Sequence, residues 1–159
     1  MRVCCISQSV LADDPRVRRQ MEALHGAGHE VTAVALAGGA SAPPPQPATL
    51  ISPPDRSTAG KARLAARILA GRALRRSERA TFDRLPGSAE FAEATRAIEA
   101  DLYIANDWRA LPAAVAAADR HGARYAYDSH EWAVGEFAER RSWRLVFPRL
   151  IEAIESAFV

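Results

Sequence analysis

Ala123-Arg124-Tyr125-Ala126-Tyr127-Asp128-Ser129-His130-Glu131 reads as a buried strand that stops abruptly in four polar residues. A strand ending in a carboxylate, a hydroxyl, an imidazole and a second carboxylate is a common way to build a site. In open parallel α/β sheets, ligands sit in the crevice beyond the carboxyl ends of the strands. The fold therefore turns on whether the rest of the chain supplies more strands of the same kind, separated by helices.

It does. Just upstream, residues 111–121 form an alanine-rich helical stretch closed by Gly122. Before that, Leu102-Tyr103-Ile104-Ala105 is another short apolar run, ending at Asn106-Asp107-Trp108. Residues 88–100 suit a helix with Phe91, Ala94, Ala97 and Ile98 as its apolar positions. At the N-terminus, Val3-Cys4-Cys5-Ile6 is a continuous apolar run, the pattern of a central strand covered on both faces. Residues 7–12 read as the loop after it. Asp14-Pro15 is a helix start, with Asp as N-cap and Pro at the first helical position. Val17, Met21 and Leu24 make one stripe on that helix, and Gly26 and Gly28 end it. Residues 30–36 form a second β-branched, apolar strand. Residues 38–54, rich in Pro and Gly, read as a loop with a short strand at Thr49-Leu50-Ile51. Downstream, residues 136–158 read as helix, started or kinked by Pro148, and the last residues look like the beginning of a further element. The alternation predicts an α/β class: a Rossmann-like three-layer domain with a mostly parallel sheet.

Composition narrows the function classes. The 159 residues suit one domain with a real core, and 48% apolar with 25% charged residues is ordinary globular usage. Adjacent Cys4 and Cys5 point to opposite faces of a strand, so they read as buried thiols in a reducing compartment. No signal peptide and no apolar run of membrane-spanning length is present in the sequence, and the expected location is cytoplasmic. The first strand is not followed by G-x-G-x-x-G, there is no P-loop, and no Cys or His spacing suits zinc, so no metal is expected. Asp128, Ser129 and His130 are consecutive and cannot face one another as a catalytic triad must.

Charge is unevenly distributed. Residues 56–84 hold nine basic and two acidic residues, a local charge of +7 that leaves −5 for the rest of a chain whose net charge is +2. A solvated helical face accounts for this, and so does contact with anionic lipid headgroups or a phosphorylated acceptor through Arg72, Arg75, Arg76 and Arg79. That second reading places the protein at the inner face of the plasma membrane. Nucleic acid is a weaker fit, because no aromatic residues are interleaved for base stacking, and no nucleic-acid partner is expected.

Several stretches taken together resemble family 4 glycosyltransferases of the GT-B fold. They are Arg2-Val3-Cys4-Cys5-Ile6-Ser7, Asp14-Pro15-Arg16-Val17-Arg18-Arg19-Gln20, and Ala27-Gly28-His29-Glu30-Val31-Thr32. Asp101-Leu102-Tyr103-Ile104-Ala105-Asn106-Asp107 and Tyr127-Asp128-Ser129-His130-Glu131 complete the set. The resemblance covers most of the chain outside residues 38–88. It implies the N-terminal, acceptor-binding half of a GT-B enzyme, whose C-terminal half binds a nucleotide-sugar donor as co-substrate, with no tightly bound cofactor. The family usually transfers a hexosyl group with retention and without an obligatory metal. No donor domain is found here, so this chain alone is expected to be inactive in transfer, as a fragment or as one half of a split enzyme. The expected partners are a sugar or glycolipid acceptor and, through the missing domain, the nucleotide sugar.

The resemblance implies that His130 faces the cleft and that Glu131 and Asp128 orient it or the acceptor, making His130 and Glu131 the catalytic candidates. Asn106, Asp107 and Arg16 are substrate-binding candidates, Arg16 for a phosphate near a helix N-terminus. Trp108 and Trp132 are placed either to stack on a sugar or to pack helix against sheet. Family members often carry glycine after the first strand, and residues 7–13 carry none. Two alternatives stand beside the transferase: a non-catalytic binding or membrane-docking module using residues 56–84, and half of a sugar-nucleotide epimerase.

Overall fold

The computed structural model describes residues 1–39, 43–55, 57–129, 133–135 and 139–159. In chain order the elements are β1 (Arg2–Val10), α1 (Pro15–Gly26), β2 (Glu30–Leu36), β3 (Ala48–Ile51), α2 (Thr58–Ala73) and α3 (Glu78–Phe82). Then come α4 (Ser88–Arg96), β4 (Leu102–Ala105), α5 (Leu111–His121), β5 (Arg124–Tyr127), α6 (Arg141–Val146) and α7 (Pro148–Phe158). They form two compact units, one of Met1–Pro53 and Glu90–Asp128, the other of Pro54–Ala89 and Ser129–Val159.

The first unit is a five-stranded sheet in the order β3-β2-β1-β4-β5, with every pair parallel. This is the Rossmann-like α/β arrangement that the alternation predicts. Val3, Cys5, Val31, Ala33, Ala35 and Ile104 project to one face and pack against Leu11, Val17 and Met21, the last two from α1. Cys4 lies opposite Tyr103 in the β1–β4 register, so Tyr103 projects to the other face. There its ring stacks on His121 at the end of α5, centroids 6.2 Å apart. Its hydroxyl donates to the Ile98 carbonyl at 2.6 Å and accepts from the Ala100 N–H at 3.1 Å. Helices thus cover both faces, and β1 is buried on both, as its unbroken apolar run requires.

Three readings change. The first strand does not stop at residue 6. It runs to Val10 with an irregularity in its pairing after Ile6, and a single 3-10 turn (Leu11–Asp13) follows. The β5 strand is not buried: Arg124, Tyr125 and Ala126 are exposed, Tyr125 by 40%. Among the described residues it lies at the sheet edge, hydrogen-bonded on one side to β4 alone, and its Tyr/Ala alternation resembles a core strand only in residue type. The helix that starts at Ser88 gives way at Arg96 to a turn rather than continuing to residue 100. The proline-rich loop does return as an edge strand, β3, one residue longer than the stretch read from sequence.

The second unit is helical. Gly71 of α2 faces Thr81 of α3 so closely that a Cβ at Gly71 would sit 2.8 Å from the Thr81 methyl. The Arg79 guanidinium of α3 lies 4.8 Å over the Phe158 ring of α7. Pro148 opens α7, as its fixed φ allows, and α6 stops just before it. No helix among the described residues is long and apolar enough to cross a membrane.

Candidate functional site

The strand order reverses between β1 and β4, because successive strands run outward from β1 in one direction and from β4 in the other. At such a switch point, loops leave to opposite faces and open a crevice at the carboxyl ends. The polar residues at these ends of β1, β4 and β5 meet there with the start of α1, all within the sheet unit.

Asp14 caps α1. One of its carboxylate oxygens accepts the N–H groups of Arg16 and Val17, each at 3.1 Å. The other accepts the Ser9 hydroxyl at 2.6 Å. The Ser9 and Ser7 hydroxyls lie 2.9 Å apart, and Ser7 is 3.2 Å from Asp107. Each serine has one hydroxyl proton. With that of Ser9 given to Asp14, that of Ser7 is shared between Ser9 and Asp107. Asp107 also accepts the Gln8 N–H at 2.7 Å on one oxygen and the Ala110 N–H at 2.9 Å on the other. It thereby ties the end of β1 to the turn that leads into α5.

Arg16 completes the ring. Its guanidinium donates to the Asp128 carboxylate at 2.9 Å, to the Asn106 side-chain oxygen at 3.3 Å and to the Asn106 main-chain carbonyl at 3.1 Å. Asn106 is fully buried, whereas the Arg16 and Asp128 side chains are 31% and 34% exposed. One guanidinium thus joins the start of α1 to the ends of β4 and β5. Together Asp14, Arg16, Asp107 and Asp128 carry three negative charges and one positive charge.

Arg16, Asn106 and Asp128 are therefore brought together by bonds from the one guanidinium, and Asp107 is held beside them by Ser7, Gln8 and Ala110. The helix N-terminus expected to attract a ligand phosphate is already occupied by Asp14, and the arginine beside it faces a carboxylate. Trp108 is buried, with the Arg109 guanidinium 4.7 Å over its ring. His130, Glu131 and Trp132 lie outside the described residues. Ser7, Ser9 and Asp14 were not singled out as site residues in the sequence. The available signal was Ser7 and Ser9 at alternate positions, which share one face once β1 is seen to continue past Ile6.

The basic residues fall in the helical unit and divide into two kinds. Arg72 donates to Glu78 at 2.7 Å and to the carbonyls of Leu145 and Val146 at 3.1 and 2.8 Å, capping the end of α6. Arg79 pairs with Asp83 at 3.0 Å. Arg75 and Arg76, after the last turn of α2, are exposed.

An all-parallel sheet flanked by helices, with polar strand ends gathered at its switch point, defines a Rossmann-like domain with a candidate site at the β1–β4 junction. The chain belongs to the glycosyl transferase 4-like domain family, which matches residues 14–156. No curated protein matches the chain.

Proposed function

We propose that this chain is the acceptor-binding domain of a nucleotide-sugar-dependent glycosyltransferase, with the donor held by a second domain outside these residues. The observation that carries the proposal is the ring at the switch point: Ser7, Ser9, Asn106 and three carboxylates around one arginine. Carboxylates accept hydrogen bonds from sugar hydroxyls, and Asp128 is the ring's most open carboxylate that the described residues place beside Arg16. The ring's excess negative charge disfavours a donor pyrophosphate, which supports placing the donor elsewhere. His130 and Glu131 follow Asp128 in sequence after Ser129, and we assign them the catalytic contacts at the anomeric centre, with retention of configuration. Glycan or glycolipid synthesis in the cytoplasm is the setting this chemistry suits.

Ligand-observed NMR on the chain tests this reading. Simple glycosides should give saturation transfer that Asp128→Asn weakens, and UDP or GDP sugars should give none. Joining the chain to its donor-binding domain should then yield transfer that depends on both acceptor and donor. Nucleotide-sugar binding by this chain with no glycoside binding would overturn the assignment. Epimerisation of the donor without acceptor would favour the epimerase.

A further inference from the structure

The outward face of α2 is apolar. Ala62, Ala66, Leu69, Ala70 and Ala73 recur at helical spacing, and all five are exposed, Leu69 by 49%. The opposite face is apolar too, burying Ile68 and Gly71 in the helical unit. An ordinary surface helix turns charged and polar residues outward. Here the outward stripe is about 16 Å long at 1.5 Å per residue, and no acidic residue lies on the helix. Arg63 and Arg67 border the stripe on one side, and both are exposed.

The end of the helix adds an independent observation. It closes in a Schellman motif: the Arg76 N–H donates to the Gly71 carbonyl and the Arg75 N–H to the Arg72 carbonyl, both at 2.9 Å. Arg75 therefore occupies the left-handed position, with φ of +51°, where glycine is free of strain. It is the one non-glycine residue at positive φ among those described. Leu74 beside it is 63% exposed. A cation is kept where its backbone is disfavoured, next to an exposed leucine and at the end of an apolar stripe.

We propose that the outward face of α2 docks on an anionic lipid bilayer. Leu69 and Leu74 enter the headgroup–acyl boundary, while Arg63, Arg67, Arg75 and Arg76 meet lipid phosphates. The occupant follows from the charge: five cations and no anion from residue 61 to residue 76 once Arg72 is set aside for Glu78, with Arg63 in an exposed pair with Asp55 at 3.4 Å that a lipid phosphate can replace. Long arginine stems can lie along the apolar stripe with their heads at the phosphate level. Arg72 and Arg79, engaged inside the unit, take no part.

Co-sedimentation with vesicles tests the proposal, using phosphatidylcholine alone and mixed with phosphatidylglycerol. The protein should bind the mixed vesicles, less as salt rises, and ignore the neutral ones. Each of Arg63→Ser, Arg67→Ser and Arg76→Ser should cost about fivefold in partitioning, and Leu69→Glu should abolish it while far-UV circular dichroism is unchanged. Arg75→Gly is the sharpest variant: it should raise the melting temperature and weaken vesicle binding together. A dye on Leu69→Cys should shift to the blue on mixed vesicles. Cys4 and Cys5 are buried, which pushes the Cys5 thiol up to about 12 and Cys4 higher still, so the label goes to the new thiol. Equal binding to both vesicles, or none at low salt, overturns the proposal. So does self-association through this face, seen as a dimer that Leu69→Glu dissociates without any vesicle binding.

Discussion

Arg16 in the sheet unit and Arg72 in the helical unit do similar work in different company. Each guanidinium binds a carboxylate and also main-chain carbonyl oxygen: Asn106 for Arg16, Leu145 and Val146 for Arg72. Arg72 has one carboxylate partner, Glu78, and both side chains are about four-fifths buried (19% and 18% exposed). Arg16 sits where carboxylates outnumber it, and it and Asp128 are about one-third exposed. A charge with one buried partner is a structural tie. A charge shared among several polar groups at an open strand end is in a position to answer a ligand. Residue type alone does not separate the two; burial and the number of partners do.

Four experiments can break or sharpen that contrast. The largest effect is expected from Arg72→Ala, which leaves Glu78 without its partner and the end of α6 uncapped. It should cost about 3 kcal/mol, the scale of breaking a buried pair, read as a lower denaturant midpoint, and Arg72→Lys should recover only part. Next is Gly71→Ala. Alanine for glycine inside an exposed helix gains about 1 kcal/mol. Here the added methyl meets Thr81, so thermal unfolding should show a loss of about 1–3 kcal/mol from overpacking. Arg16→Ala should cost less, about 1–2 kcal/mol after allowing for solvent screening. Its fuller consequence should be loss of glycoside saturation transfer, a readout that a purely structural tie would leave intact in the folded variant.

The smallest effect concerns pH. The main-chain N–H and guanidinium of Arg2 hold the Asp101 carboxyl below the usual carboxylate range. A depressed folded value contributes stability above the unfolded pKa of about 3.9 and loses it as pH falls through the lower folded value. Stability should therefore decline slightly below pH ~4, and Asp101→Asn should flatten that limb of the curve.

Much of the sheet was legible because its signals are local. The spans of β4, α5 and β5 follow from apolar runs bounded by Asp101, Asn106 and Gly122, and the left-handed Gly122 ends α5 as expected. Asp14 and Pro15 mark the start of α1 for equally local reasons. What was not legible depends on neighbours. An apolar residue in β5 is exposed because no strand lies beyond it among those described, and nothing within Arg124–Tyr127 encodes that. That Asp107 accepts from both Gln8 and Ala110, far apart in sequence, was equally invisible before the contacts. The arginines of residues 56–84 gave one undivided charge run, and only packing separates Arg72 from Arg75 and Arg76. The family resemblance was legible from motif order. The roles it implies for individual side chains need the contacts.

The cap that Arg72 places on α6 also has a consequence in time. Its ion pair with Glu78 closes a short loop and can form as soon as both residues exist. Its bonds to Leu145 and Val146 span 73 and 74 positions, with β4, α5 and β5 made in between. At roughly 5–20 residues per second of synthesis, α2 and α3 wait on the order of 4–15 s for the helices that complete their unit. Loop closure over that span is entropically costly, so contacts of this kind form late. During that interval the part of the inner face of α2 that α6 later covers stays open to solvent. The nascent chain then presents an apolar, cationic outer face on α2 together with an incompletely covered inner one.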